Sequence, residues 1–290
     1  MKKNIYPISL ILFFFAIILF SSSAFNTLDD YEEKLVKKKL NSFDESLKNE
    51  SISTIIEKVG LSFLGTEYVA GTLDEDIYSE KLVIKISGLD CVTFVENTLA
   101  ISRTIQSGSI NLNTYKNELQ NIRYRDGQIE GYTSRLHYFC DWIYDNEKKG
   151  IVKNITKKIG GVPYKKKINF MSSHSGSYKQ LHTDDGESVS IIKSIEKDIN
   201  SRKHYYIPKN EVDTYYDDLK TGDIIATTTE ISGLDVTHTG YIYKKNGKTY
   251  FLHASSNAKE VIVSKEELKE YLKNDKKKTG IMVCRPQDVN

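Results

Sequence analysis

The pair Asn246-Gly247 constrains this chain more than any other two residues. It separates two alternating runs, Thr237–Tyr243 and Lys248–Ala254, and Asn-Gly between such runs is the strongest short-range hairpin signal. With Asn246 and Gly247 as the central turn residues, Lys245 faces Lys248, and counting outward from the turn puts His238 opposite Ser255. His253 stands two residues from Ser255 on the same strand, hence on the same face. Diagonal neighbours of this kind lie about 7–8 Å apart, within reach of two imidazoles. A slip of one residue would send them to opposite faces. The turn alone thus proposes His238 and His253 as neighbours.

A second stretch, Leu89-Asp90-Cys91-Val92-Thr93-Phe94-Val95-Glu96, places a lone cysteine at the first turn of what reads as a buried helix. From Val92 to Ile105 the apolar residues Val92, Val95, Leu99 and Phe94, Ile101, Ile105 cover a wide stripe, leaving Glu96, Arg103 and Gln106 for the other side. Asp90 is suited to N-cap this helix, and Gly88 to the turn before it. A thiol there feels the positive end of the helix dipole, so a pKa lowered toward the thiolate is expected. Cysteine is also a common small buried residue. The stretch gains chemical meaning only through what the rest of the chain brings to it.

The N-terminus carries a processing signal. Lys2 and Lys3 precede an apolar run from Ile8 to Phe20, and Ser22-Ser23-Ala24 supplies small residues at a cleavage point. This is the three-part pattern of a secretory signal peptide, residues 1–24, and the run is too short to span a bilayer comfortably. A periplasmic or otherwise extracytoplasmic location is expected, with no membrane anchor after cleavage. Residues 25–290 are read as a single domain. The chain has 41 basic and 39 acidic residues, and loss of Lys2 and Lys3 brings the two into balance. That argues against nucleic acid or an anionic membrane as a partner. Three cysteines do not make a disulfide scaffold in a chain of this size. Cys140 and Cys284 read as buried packing residues, with a bridge between them left open.

Along the chain, helices are predicted near 53–64, over Leu112–Arg123, from Ser134 as N-cap through Ile143, near Ser188–Ser201 and over Lys265–Lys273. Strands are predicted at Leu82–Ile86, after Thr221-Gly222-Asp223, in the hairpin, at Val261–Val263 and at Gly280–Cys284. Helices come first and strands last, which is an α+β arrangement. Asp223 and Asp235 are read as turn residues, and His174, His182 and His204 as surface residues.

A cysteine at a helix start, packed against a sheet face carrying two histidines, is what nucleophilic thiol catalysis requires. One histidine handles the thiol proton and the other holds the first in the right tautomer. Two other readings stay open at this point: ordinary strand histidines, and zinc held by Cys91, His238 and His253. The zinc reading has suitable ligand types but no close Cys-x-x-Cys or His-x-x-x-His pair behind it.

The motifs "YVAG" at 68–71, "LDCVTFVE" at 89–96, "TGDII" at 221–225, "HTGYIY" at 238–243 and "FLHAS" at 251–255 fall in one order. In that order they resemble the NlpC-type, papain-like cell-wall cysteine peptidases. "DCVTFVENTLA" with "YTSRLHYFCDWI" resembles more specifically their N-acetylmuramoyl-L-alanine amidase-like branch. The likeness runs from about Leu64 to Pro286. It implies Cys91 as nucleophile, His238 as general base and His253 as the group orienting it, with Tyr68 near the scissile carbonyl. It also implies an oxyanion hole using the Cys91 N–H. Arg135, in the branch-specific segment with His137, is either a solvated arginine on a surface helix or a residue that reads substrate. Val92-Thr93 stands where many NlpC-type enzymes have serine-glycine, and the spacing from Tyr68 to Cys91 is longer than in the common endopeptidases. The implied activity is hydrolysis of the N-acetylmuramoyl-L-alanine bond in soluble muropeptides, including anhydro-muramyl forms, by a monomer without cofactor or metal. The alternatives are a γ-D-glutamyl-diaminopimelate endopeptidase and a non-catalytic muropeptide-binding protein.

Overall fold

The computed structural model describes residues 29–74 and 76–289; the expected signal peptide lies outside them. The fold is mixed, with helices packed on a large, mostly antiparallel sheet. Helix α1 spans 29–40. Helix α2 (Ile52–Leu61) begins at Ser51, whose hydroxyl accepts the Thr54 N–H, and buries Ile52, Ile55, Ile56 and Val59. Helix α3 (Cys91–Gln106) is buried along almost its whole length from Thr93 to Ile105. Helix α4 (Leu112–Arg123) starts at Asn111, which accepts the Thr114 N–H at 3.0 Å.

Helix α5 departs from expectation. It spans Phe139–Lys148, while Tyr132–Ser134 form only a 3-10 turn, so Ser134 is not its N-cap. Tyr138 stands at the N-cap, and its side chain makes no capping bond. The orphan donor is met from a distance instead, since the buried Asp235 accepts the Cys140 N–H at 2.8 Å. Helices α6 (Phe170–Ser173), α7 (Glu187–Ser201) and α8 (Leu268–Lys273) follow.

The strands are β1 (Glu67–Tyr68), β2 (Gly88–Leu89), β3 (Val152–Asn154), β4 (Val162–Pro163), β5 (Tyr205–Pro208), β6 (Ile224–Thr229), β7 (Val236–Lys245), β8 (Lys248–Ser255), β9 (Glu260–Val263) and β10 (Lys278–Pro286). They follow the order β2-β1-β9-β8-β7-β6-β10-β5-β4, with β3 also pairing β10. The pairing of β1 with β2 is parallel. No strand forms at Leu82–Ile86. The backbone groups of that region go to side chains: Glu32 accepts from Ile86 N–H, Arg123 donates to Val83 O and Asn97 to Lys85 O. Satisfied this way, the segment needs no neighbouring strand.

Both faces of the central strands are covered, and successive residues alternate between two cores. Ala226, Tyr241, Leu252, Met282 and Cys284 face α3 with Phe94, Val95 and Leu99. Ile225, Ile242, Phe251, Ile281 and Val283 face Leu268 and Leu272 of α8. Phe94 meets Tyr241 edge to face at 5.8 Å, and Tyr241 Oη donates to Val95 O at 2.8 Å. That pair pins the first turns of α3 to β7. All three cysteines are free, so Cys140 and Cys284 are unbridged packing residues. Asp223 keeps its turn role, accepting Lys220 N–H, and also receives Arg285 through Nε and Nη2, each at 2.7 Å.

Candidate active site

Cys91 is the first residue of α3. Asp90 caps the helix in a reciprocal box: its carboxylate accepts Thr93 N–H at 2.7 Å, and Thr93 Oγ1 accepts Asp90 N–H at 2.9 Å. The cap fixes the direction in which Cys91 leaves the helix. It also places a negative charge beside the sulfur. Burial, and then the Asp90 carboxylate, push the Cys91 thiol up to about 12, against the pull of the Thr239, Cys91 and Val92 N–H groups. The lowered pKa expected from the helix dipole is therefore reversed, because desolvation and the capping charge outweigh the helix terminus. Both influences favour the thiol of Cys91 over its thiolate.

The hairpin has the predicted register, from Lys245↔Lys248 to Tyr241↔Leu252. Beyond Tyr241 the paired residues end, and no His238↔Ser255 pair forms. The Thr239 N–H is directed to the Cys91 sulfur instead. His238 and His253 do meet, with Nε2 of the first 2.7 Å from Nδ1 of the second. Their face, however, is not the one α3 covers. His253 stacks on Phe251, centroids 4.6 Å apart, and meets Tyr271 of α8 at 5.1 Å, so the pair belongs to the α8 side. Gly240 lets the strands stay this close: a Cβ there would stand 2.6 Å from Leu252 O and 2.8 Å from His253 Cβ.

Both histidines are held neutral. Burial lowers His253 to about 4, with the Lys278 ammonium as the next cause. His238 is lowered well below its ordinary value by burial, then by His253 and Lys278. The mutual bond occupies His238 Nε2 and leaves Nδ1 for a partner in the cleft.

Cys91 and His238 line one cleft of about 260 Å³, with Glu96, Arg135, His137 and Asp235 among its walls. Arg135 is buried and lies outside any helix, which overturns the solvated-arginine reading. Its Nη2 meets Asp74 at 3.0 Å and Glu80 at 3.1 Å, Nη1 donates to Leu73 O, and Nε has no partner. His137, beside it, is lowered to about 3 by burial and then by Arg135. Tyr68 does not line this cleft. It pairs with Leu89 across β1 and β2, two residues before Cys91, and its phenol is raised by burial and then by Cys91 and Asp90. His174 and His182 are exposed, and His204 is half-buried with Nε2 against Ile199 O. Among the described residues, no group of three or more His, Cys, Asp or Glu is gathered to hold a metal ion.

A family model described as AmiA-like, N-acetylmuramoyl-L-alanine amidase-like, matches residues 58–281. The chain belongs to this AmiA-like family. An N-acetylmuramoyl-L-alanine amidase from Bacteroides uniformis is 39% identical in its crystal structure, covering 81% of this chain and 99% of that one, with a TM-score of 0.77. Another crystal structure of an amidase from that organism is 40% identical over 80% of this chain and 98% of that one, TM-score 0.75. A Legionella pneumophila protein shares the fold at 20% identity, TM-score 0.67, covering 92% of this chain and 97% of that one. No curated protein matches.

The AmiA-like match encloses Tyr68, Cys91, Arg135, His238 and His253. Reading the sequence missed three features of this AmiA-like site. Thr239 acts through its backbone, which no residue type announces. Asp235 looks like a turn residue because its partner lies 95 positions away. Lys278 sits in the lysine run Lys276-Lys277-Lys278, where only burial marks it out.

Proposed function

We propose that the chain is an exported thiol amidase hydrolysing the bond between the lactyl group of N-acetylmuramic acid and L-alanine. Its substrates are soluble muropeptides, including those with an anhydro-muramyl end. One observation carries the reading: the 2.7 Å His238–His253 contact at the cleft that holds Cys91, in a chain of an amidase-like family.

The chemistry follows from the protonation states. His238 Nδ1 takes the thiol proton as the sulfur attacks the lactyl carbonyl, so acid-base transfer and attack are coupled rather than starting from a ready-made thiolate. The imidazolium keeps its Nε2–H on His253 Nδ1, which holds the ring and the tautomer. The Cys91 N–H, which has no intrahelical acceptor at the start of α3, supports the oxyanion. His238 then gives its proton to the departing amine, leaving the lactyl acyl-enzyme, and activates the water that hydrolyses it. A helix-borne cysteine and a strand-borne histidine are the parts of a papain-like, NlpC-type arrangement, and we place the chain there. Tyr68 supports the segment leading to Cys91. Arg135 holds the Leu73–Asp74 wall and keeps Nε–H for a ligand. The protein acts as a monomer without a cofactor, outside the cytoplasm, after loss of residues 1–24.

The test is mass spectrometry of products from a disaccharide–tetrapeptide, with the mature protein and its Cys91→Ser variant. Free disaccharide and intact tetrapeptide, absent with the variant, are expected. Disaccharide-L-Ala-D-Glu would reassign the bond to the γ-D-glutamyl linkage. Binding without cleavage would make the chain a muropeptide-binding protein.

A further inference from the structure

A second, larger cleft of about 550 Å³ lies on the other side of the histidine pair. It shares Thr237 and His238 with the Cys91 cleft, so the two adjoin at these residues. Its walls include His253, Ser255, Asn257 and Lys278. We propose that this cleft receives the departing stem peptide and that Lys278 binds a carboxylate of it. The proposal rests on the amidase reading above.

The direction of departure is set by the proton. The leaving amine must be within reach of His238 to be protonated, so the peptide half of the substrate lies on the histidine side of the sulfur. The glycan half lies on the other side. A stem peptide is rich in carboxylates, and the first after the scissile bond is the α-carboxylate of D-glutamate.

Lys278 is prepared for such a group. The residue is 8% exposed, and its ammonium rests over the Tyr271 ring at 3.9 Å. Its nearest carboxylate, Asp275 Oδ2, is 3.8 Å away, beyond hydrogen-bond length. A largely buried cation whose donors are unspent carries a desolvation cost that an incoming carboxylate offsets. The cleft's other charges are Glu266, Asp275 and Lys276. Glu266 and Asp275 set a threshold that a purely anionic ligand must overcome, and the Ser and Asn groups beside Lys278 suit the amides of a peptide. Lys278 also disfavours a proton on either histidine. A carboxylate bound to it removes that bias, so the correct leaving group would make the base stronger as it docks.

The test compares Lys278→Met and Lys278→Arg with the unaltered protein on a muropeptide bearing free carboxylates and on the same compound amidated at D-glutamate. The unaltered protein is expected to prefer the free acid at least tenfold in kcat/KM. Lys278→Met should erase that preference, and Lys278→Arg should restore most of it. Equal losses on both substrates would overturn the assignment. Equal turnover of the two substrates by the unaltered protein would do so too, even if Lys278→Met did not fold. Calorimetry of free tetrapeptide on Cys91→Ala protein, with and without Lys278→Met, separates this proposal from the bond assignment. Affinity that falls tenfold with Lys278→Met supports the subsite whichever bond is cut, and unchanged affinity removes it.

Discussion

His238 and His253 meet nitrogen to nitrogen, Nε2 to Nδ1 at 2.7 Å, and the single proton between them decides whether the other nitrogen of His238, Nδ1, can accept from the thiol. If His238 donates, its Nδ1 is free to accept from Cys91. His253→Asn keeps an acceptor at that distance, whereas His253→Ala does not. Replacing His238 by Ala should cost about 10²–10⁴ in kcat, the range for removal of an acid-base group. His253→Ala should cost more than His253→Asn, with KM little changed. Steady-state kinetics of all three variants checks this ranking.

The raised thiol of Cys91 sets a pH signature. A thiol near 12 deprotonates further with every unit of rising pH, so alkylation by iodoacetamide should keep accelerating through pH 9. A preformed thiolate-imidazolium pair would instead give a plateau near neutral pH. The measurement is the inactivation rate constant between pH 5 and pH 9.5.

His253 couples stability to pH. Its folded value, about 4, lies below the ordinary 6.5, so between these values the unfolded chain binds a proton that the folded one refuses. Stability therefore rises with pH across this window and is lost as pH falls. A single such group contributes a slope of about 1.4 kcal/mol per pH unit. Urea denaturation at pH 4.5, 5.5 and 6.5 should show a smaller slope for His253→Asn.

Beneath the cleft, Arg123 Nε donates to Glu96 at 2.6 Å with both side chains almost fully buried. Arg123→Met leaves a buried carboxylate alone and should cost about 3–5 kcal/mol. Adding Glu96→Gln should recover part of that loss. Denaturation of the single and double variants decides the matter.

The free cysteines predict a simple count. All three thiols should react with a chromogenic disulfide once the mature protein is unfolded, with or without prior reduction. Only one thiol reacting without reductant would restore the Cys140–Cys284 bridge.

The sequence made the hairpin legible because Asn246-Gly247 is a local instruction, and register then follows by counting. Leu112–Arg123 was equally legible, since its apolar residues Leu112, Tyr115, Leu119 and Ile122 keep the helical period. The face on which the histidines lie was not. Strands covered on both sides have no polar face to mark direction, so Ile242 and Tyr241 look equivalent until the helices are placed. Leu82–Ile86 misled for a related reason: its apolar alternation is real, but its backbone partners are the side chains of Glu32, Asn97 and Arg123, which no local pattern reveals. The thiol's pKa was misjudged because burial, and after it the same Asp90 that caps the helix, oppose the helix's own field.

Gly240 turns all of this into a question of clearance. The imidazoles align because a hydrogen atom, rather than a methyl group, fills the gap between Leu252 O and the root of His253. A single carbon added there would act as a wedge against Leu252 O, the Phe251 ring and the root of His253, spreading β7 from β8. The tolerance of this catalyst is thus set by the smallest atom in it, and its alignment can be lost from a position that carries no chemistry at all.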